Sequence, residues 1–205
     1  INQLVLSQEL GAVGDQRTRM QEAMTFQTDV EAKLDEGVSS PEPAAFLCEL
    51  LAGIERRADR LSESSIADRE PERSETVGTF VDDVRQNTAI VRDELDDAQF
   101  GTFDVMSAAL DFNYSWKIYA ARRIRNQHGD SLSEEAAETL DDLIDLMEFF
   151  GEAREHFKTL YFQWELINLS RALLYIAVPA LTVVGVFLMY VDATTLYGAT
   201  LGVDN

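Results

Sequence analysis

Four groups of residues have types and spacings that could do chemistry. Glu148, Glu152 and His156 recur every four positions, a spacing that puts two carboxylates and an imidazole on one helix face, part of a carboxylate-bridged metal site, were Gly151 not to interrupt it. Bundle sites of that kind take a Glu-x-x-His from each of two helices and two further glutamates. Here Glu152 to His156 is one residue too long, and His128 has no glutamate three positions before it. Surface ion pairing is the simpler expectation, and no metal or other cofactor is expected. Cys48, the single cysteine, lies between Leu47 and Leu51 with no histidine nearby in sequence, so it reads as a small core hydrophobe rather than a nucleophile. Arg122, Arg123 and Arg125 form a basic cluster that could meet anionic lipid headgroups. Pairing with the acidic helix beyond the His128-Gly129 turn is the favoured alternative. Glu165, Asn168 and Arg171, each three apart, put a polar stripe on one helix face ahead of an apolar run. Such a stripe suits a contact with another membrane helix or a gate, unless Arg171 only snorkels to the interface. There is no Gly-rich phosphate loop and no nucleophile–base constellation, so no enzyme is expected.

The elements that must position these residues are helical. Ala172 to Val191 reads ALLYIAVPALTVVGVFLMYV, uncharged and with Thr182 as its one non-aromatic polar side chain. As a helix it spans about 30 Å, the thickness of a bilayer core. Pro179 is tolerated in such a span and predicts a mild kink. Arg154, Lys158 and Arg171 precede the run and no Lys or Arg follows it, which places the amino-terminal region in the cytoplasm and the chain in the cell membrane. Tyr161, Phe162 and Trp164 before the run, and Tyr190 and Tyr197 near its far end, suit the water–lipid boundary, with packing on the bundle as the alternative for Tyr161 and Trp164.

Before the span, the pattern predicts an antiparallel helical bundle with no alternating strand signal, an all-α fold continuing into a transmembrane helix. The first helix, about residues 2–36, carries a coiled-coil-like seam of Leu6, Leu10, Val13, Met20, Met24 and Leu34, and GVSSPEP ends it. A second runs from Pro43 to Asp68 and breaks before Pro71; a third keeps Val77, Val81, Val84, Val91 and Leu95 in register. A fourth, Phe103 to about Gln127, carries Val105, Leu110, Phe112, Trp116, Tyr119 and Ile124, the most aromatic stretch before the span, and is expected near the bundle centre. Ser131-Leu132-Ser133-Glu134 fits a capping box for a fifth helix ending at Gly151, followed by a sixth from Glu152 into the span. The expected divisions are a bundle over 1–168, a span over 169–191 and a short external segment over 192–205. The last is a loop to a further span if the chain continues, or the tail of a tail-anchored protein if it does not.

Composition narrows the partners. Against 37 Asp and Glu stand 17 Lys and Arg, a net charge of −20, which repels nucleic acid. Of the 17, only Lys33, Lys117 and Lys158 are lysines; abundant carboxylates with Arg preferred to Lys resemble the proteome of a salt-in halophile. Two stretches, FGTFDVMSAALDFNYSWKIYAARRIRNQHGDSL and FGEAREHFKTLYFQWELINLSRALLYIAVPAL, together resemble a group of uncharacterised membrane proteins of halophilic archaea, in which an acidic helical region precedes apolar spans. The resemblance covers residues 100–191 and implies placement rather than chemistry. The expected partners are the lipid bilayer and, through helical faces, another protein or a second copy. The leading expectation is a non-enzymatic membrane-anchored scaffold or signal-relay module, and the alternative is the regulatory portion and first span of a channel or transporter.

Overall fold

The structure, a computed structural model, describes residues 2–34, 38–66, 71–98, 103–129 and 132–190. Among these there are six helices and no strand: α1 (Asn2–Leu34), α2 (Pro43–Ile66), α3 (Pro71–Asp97), α4 (Phe103–Asp111), α5 (Tyr114–His128) and α6 (Glu134–Tyr190). Packing divides the chain into two units, Ile1–Lys158 and Thr159–Asn205.

In the first unit, helical spacing of apolar residues builds the core directly. Leu47, Leu50, Leu51, Ile54, Ala58 and Leu61 line one side of α2 and are all buried. Pro43 and Pro71 open α2 and α3 at a position where a helix needs no N–H, so each proline starts a helix as well as ending the chain segment before it. α3 runs antiparallel to α2: Cys48 meets Asp96, Glu55 pairs with Arg92 at 2.8 Å, and Asp59 pairs with Arg85. The loop between α1 and α2 is tied by carboxylates, Glu31 accepting the Ser39 amide at 2.8 Å and Glu49 that of Ser40 at 3.1 Å.

α6 closes the core with Leu140, Leu143, Leu146, Met147 and Phe150, all buried. It is antiparallel to both α1 and α2, as Phe26 against Phe149, Lys33 against Asp142, and Phe46 against Phe157 require. A polar junction, with Arg57 buried and Lys33 and Asp142 half-buried, joins these three helices. Arg57 donates to the Lys33 carbonyl at 2.8 Å, satisfying a last-turn acceptor of α1, and lies 3.6 Å from Asp142. The Lys33 amine holds Asp142 and Asp145, each at 2.7 Å. Burial works against its charge, but the two carboxylate hydrogen bonds prevail and raise its pKa.

Four sequence expectations need correction. The side chains of Leu6, Leu10 and Val13 lie outside the described ones; of the rest of the α1 seam only Leu34 is buried, and Met20 and Met24 are exposed, because the bundle takes the face carrying Phe26, Val30 and Leu34 instead. The aromatic fourth helix is two helices. After Asp111 the chain breaks at Phe112-Asn113, where the Asn113 side chain accepts the Trp116 amide as N-cap of α5. Asn87 of α3 clamps the break from outside, donating to the Asp111 carbonyl at 3.2 Å and accepting the Asn113 amide at 3.4 Å. At α6 the capping hydroxyl is that of Ser133, which accepts the Ala136 amide at 3.1 Å; Ser131 falls outside the described residues. The Phe100-Gly101 and Gly37 breaks also lie outside them.

Finally, Gly151 does not end a helix; α6 passes straight through it. A Cβ there would lie 2.6 Å from the Tyr114 ring, so the glycine is a packing residue that admits Tyr114 against the helix backbone. The ring cannot easily retreat, since Phe150 lies 6.5 Å away and the Arg154 guanidinium 4.6 Å from its centroid. We expect Gly151→Val to lower unfolding stability by about 1–3 kcal/mol through overpacking. In a Tyr114→Ala background, Gly151→Ala should instead gain up to about 1 kcal/mol of helix propensity. Denaturant midpoints that leave Gly151→Val at native stability would refute the packing role.

Candidate docking surface and membrane-crossing segment

α5 is built on a buried stripe of Lys117, Ile118, Ala121 and Ile124. Trp116, Tyr119 and Arg123 project from the opposite side by the 3.6-residue period. Trp116 is 59% exposed and Tyr119 55%, with ring centroids 5.2 Å apart. Against expectation, neither ring lies at the bundle centre, and Leu110 of α4 is exposed too, whereas Val105, Phe112 and Ile124 of the same stretch are buried there. The signal was available: 118, 121 and 124 form an apolar stripe that excludes 116 and 119.

The arginine cluster divides. Arg122 pairs with Glu148 at 2.6 Å and Arg125 with Asp141, so these two bind the acidic face of α6, the alternative favoured from sequence. Arg123 is exposed and has no ion pair among the described residues. It shares the α5 face with Trp116 and Tyr119. No Asp or Glu occurs anywhere in Tyr114–His128, the one described helix without a carboxylate.

The unit Thr159–Asn205 is described as far as Tyr190. α6 there carries a segment long and apolar enough to cross a membrane, none of it buried in the protein. Leu173, Leu174, Tyr175, Leu181, Phe187 and Met189 are among its exposed side chains. Pro179 sits inside the helix, and Thr182 returns its hydroxyl proton to the Val178 carbonyl at 2.9 Å, which hides its polarity from an apolar surrounding. Upstream, Glu165 and Arg171 are exposed and Asn168 is half-buried, so the polar stripe is present on the helix surface. Neither Glu165 nor Arg171 has an ion-pair partner among the described residues. Tyr161 is half-buried, Phe162 and Trp164 are exposed, and Tyr197 lies outside the described residues.

The remaining candidates do not converge. With α6 continuous at Gly151, Glu148, Glu152 and His156 do follow one helix face, but Glu148 is engaged by Arg122 and His156 stacks edge-on with Phe157 at 5.9 Å. No three metal-ligating side chains gather among the described residues. Cys48 is half-buried, and its thiol donates to Asp96 at 3.7 Å. Burial, followed by the Asp96 charge, pushes its pKa up to about 11, which keeps it protonated and unreactive at neutral pH. Alkylation by iodoacetamide should therefore stay slow through pH 9 and rise as pH approaches 11. Removing the carboxylate in Asp96→Asn should speed the reaction several-fold at pH 9. Equal rates for the two proteins would show that Asp96 does not hold the thiol proton.

No curated protein and no solved structure matches the sequence. Residues 1–205 match the model of a family described as "Family of unknown function (DUF7972)".

Proposed function

Because the chain belongs to DUF7972, a family of unknown function, we propose a role from its own residues: a non-enzymatic, membrane-anchored helical scaffold or signal relay. The observation that carries this reading is α6, a single helix that contributes Leu140, Leu143, Met147 and Phe150 to a buried core and also contains the apolar run. A soluble protein would bury such a run, whereas lipid would cover it. The Arg154, Lys158 and Arg171 flank favours a cytoplasmic amino-terminal unit in the cell membrane. The carboxylate excess and scarcity of lysine favour a halophilic archaeal setting. The bilayer is then the first partner, and a second helix or copy the next.

Deleting residues 172–191 tests the anchor. The truncated chain should leave the membrane fraction while keeping the helical signal of the first unit. A truncated chain that stays fully membrane-bound would end this reading.

A second reading rests on the Glu165–Asn168–Arg171 stripe, whose two charges have no ion-pair partner among the described residues. Ionisable groups at the start of an apolar helix are costly in isolation, and they suit a facing helix that lines a conducting path or regulates one. Conductance that ignores simultaneous reversal of both charges, Glu165→Arg with Arg171→Glu, would remove the stripe from any such path.

A further inference from the structure

We propose that the apolar length of α6 pairs in parallel with the same segment of a second copy, through a face that runs from Asn168 by way of Tyr175, Val178, Thr182 and Gly185 to Met189. The proposal rests on the membrane-anchored reading above and names the second helix that reading calls for.

The period comes first. Asn168, Tyr175, Thr182 and Met189 follow one another at steps of seven, and Arg171, Val178 and Gly185 fall between them, so that the steps alternate three and four. Such spacing keeps one line of side chains against a partner helix along the whole run, with a left-handed crossing. The opposite side carries Leu166, Leu169, Leu173, Ile176, Val184 and Phe187, hydrocarbon throughout and exposed, as a lipid-facing side would be. Between helices in lipid there is no water to drive association, so close packing and hydrogen bonds must do it. Both are concentrated on the first side.

Gly185 supplies the packing. A Cβ added there would meet nothing within 4 Å, so no contact among the described residues accounts for a residue that weakens a helix. A backbone passing close outside would account for it. Gly151 shows the same logic already satisfied, by the Tyr114 ring of its own chain.

The hydrogen-bonding groups select the occupant. The Asn168 amide and the Tyr175 hydroxyl each both donate and accept, and neither makes a hydrogen bond among the described residues. Thr182 gives its proton to the Val178 carbonyl and keeps its oxygen as an acceptor. In a parallel pair of identical helices each of these groups stands at the depth of its own counterpart and can satisfy it across a two-fold axis. A line of like charges could not. Asn168 also falls at the seam position where a single asparagine fixes register and a two-stranded state. Arg171, at the entry to the run, carries its guanidinium along its stem towards the headgroups rather than across the seam.

Replacing Cys48 by serine leaves the chain without cysteine, so single cysteines can report the pairing. They are introduced one at a time on the proposed face, as Val178→Cys, Thr182→Cys and Met189→Cys, and on the other, as Leu173→Cys, Ile176→Cys and Val184→Cys. Each full chain is reconstituted in phosphatidylcholine liposomes at molar salt, which screens the repulsion between two chains of net charge −20, and is oxidised with copper phenanthroline. Pairing predicts disulfide-linked dimers at 178, 182 and 189 and several-fold fewer at 173, 176 and 184. Self cross-links at both 178 and 189 require parallel helices, since an antiparallel pair brings neither position to its own copy. Gly185→Ile and Asn168→Leu should each weaken association, read as cross-linking of Val178→Cys, by roughly tenfold. Equal yields on the two sides, or a maximum on the Leu173 side, would overturn the proposal. Extraction by alkaline carbonate separates the two readings. A chain that carbonate removes from the liposomes has no inserted span, which ends the anchored reading and the pairing together. A chain that resists extraction and stays monomeric keeps its anchor, ends the pairing and hands the face to a helix of a different protein.

Discussion

Replacing Phe150 by alanine is expected to lower the unfolding free energy of the first unit by about 3–5 kcal/mol, the range for removing a large aromatic from a closed core. Phe150 is fully buried where α6 meets α5 and the α4–α5 break, and the Phe112 ring meets it edge-on at 4.8 Å. Truncation would remove the hydrophobic transfer term, the edge-to-face contact and the support of Tyr114 together. The site cannot collapse easily, because Gly151 and Tyr114 already sit at minimum separation beside it. Phe150→Leu, which keeps most of the volume, should cost substantially less. Denaturant unfolding of the full chain in mild detergent measures both, and equal losses for Ala and Leu would mean that the cavity is not the cause.

The second large effect is an asymmetry. Lys117 is only 3% exposed, yet its amine pairs at 2.6 Å with Asp83, whose side chain is 57% exposed. The Phe112 ring face lies 5.7 Å from the amine and is its other stabilising neighbour. Asp83→Asn would strand an ammonium in the core and is expected to cost about 2–4 kcal/mol, a value reduced from the fully buried case because water reaches one side of the pair. Lys117→Met removes the buried charge and keeps the stem, while Asp83 turns to solvent. That change should be within about 1 kcal/mol of neutral, and the double variant should resemble it. A protein that loses more stability from Lys117→Met than from Asp83→Asn would reverse the assignment of which group carries the desolvation cost.

Long regular stripes made the helical parts legible. The α2 leucines, the α3 valines and the apolar run of α6 each repeat a period over several turns, and each lies where the period puts it. The misses share a different cause, which is that one side chain's local competition outweighs a pattern. Asn113 reads as an ordinary helix residue until the Asn87 side chain of α3 is seen to satisfy the broken backbone around it. Gly151 reads as a stop because glycine is a poor helix former, and only the Tyr114 ring, 37 positions earlier in the chain, explains why it is kept inside one. Trp116 and Tyr119 read as core because aromatic residues usually are, although their angular position excludes them. At the candidate docking face, the arginine cluster and its pairing with α6 were legible, since acids lay across a short turn. Which arginine would be left over was not, because it depends on how α5 rotates against α6.

Every lysine of the chain is engaged: Lys33 by Asp142 and Asp145, Lys117 by Asp83, Lys158 by Glu155. An acyl group placed on any of these amines would cancel its positive charge and leave a carboxylate unanswered, driving the protein further into acidity and loosening a helix contact at once. At Lys117 the consequence is sharper. The amine is reachable only while α3 and α5 stand apart, so the rate at which an acylating reagent marks it gauges how often this core breathes, rather than how reactive the amine is.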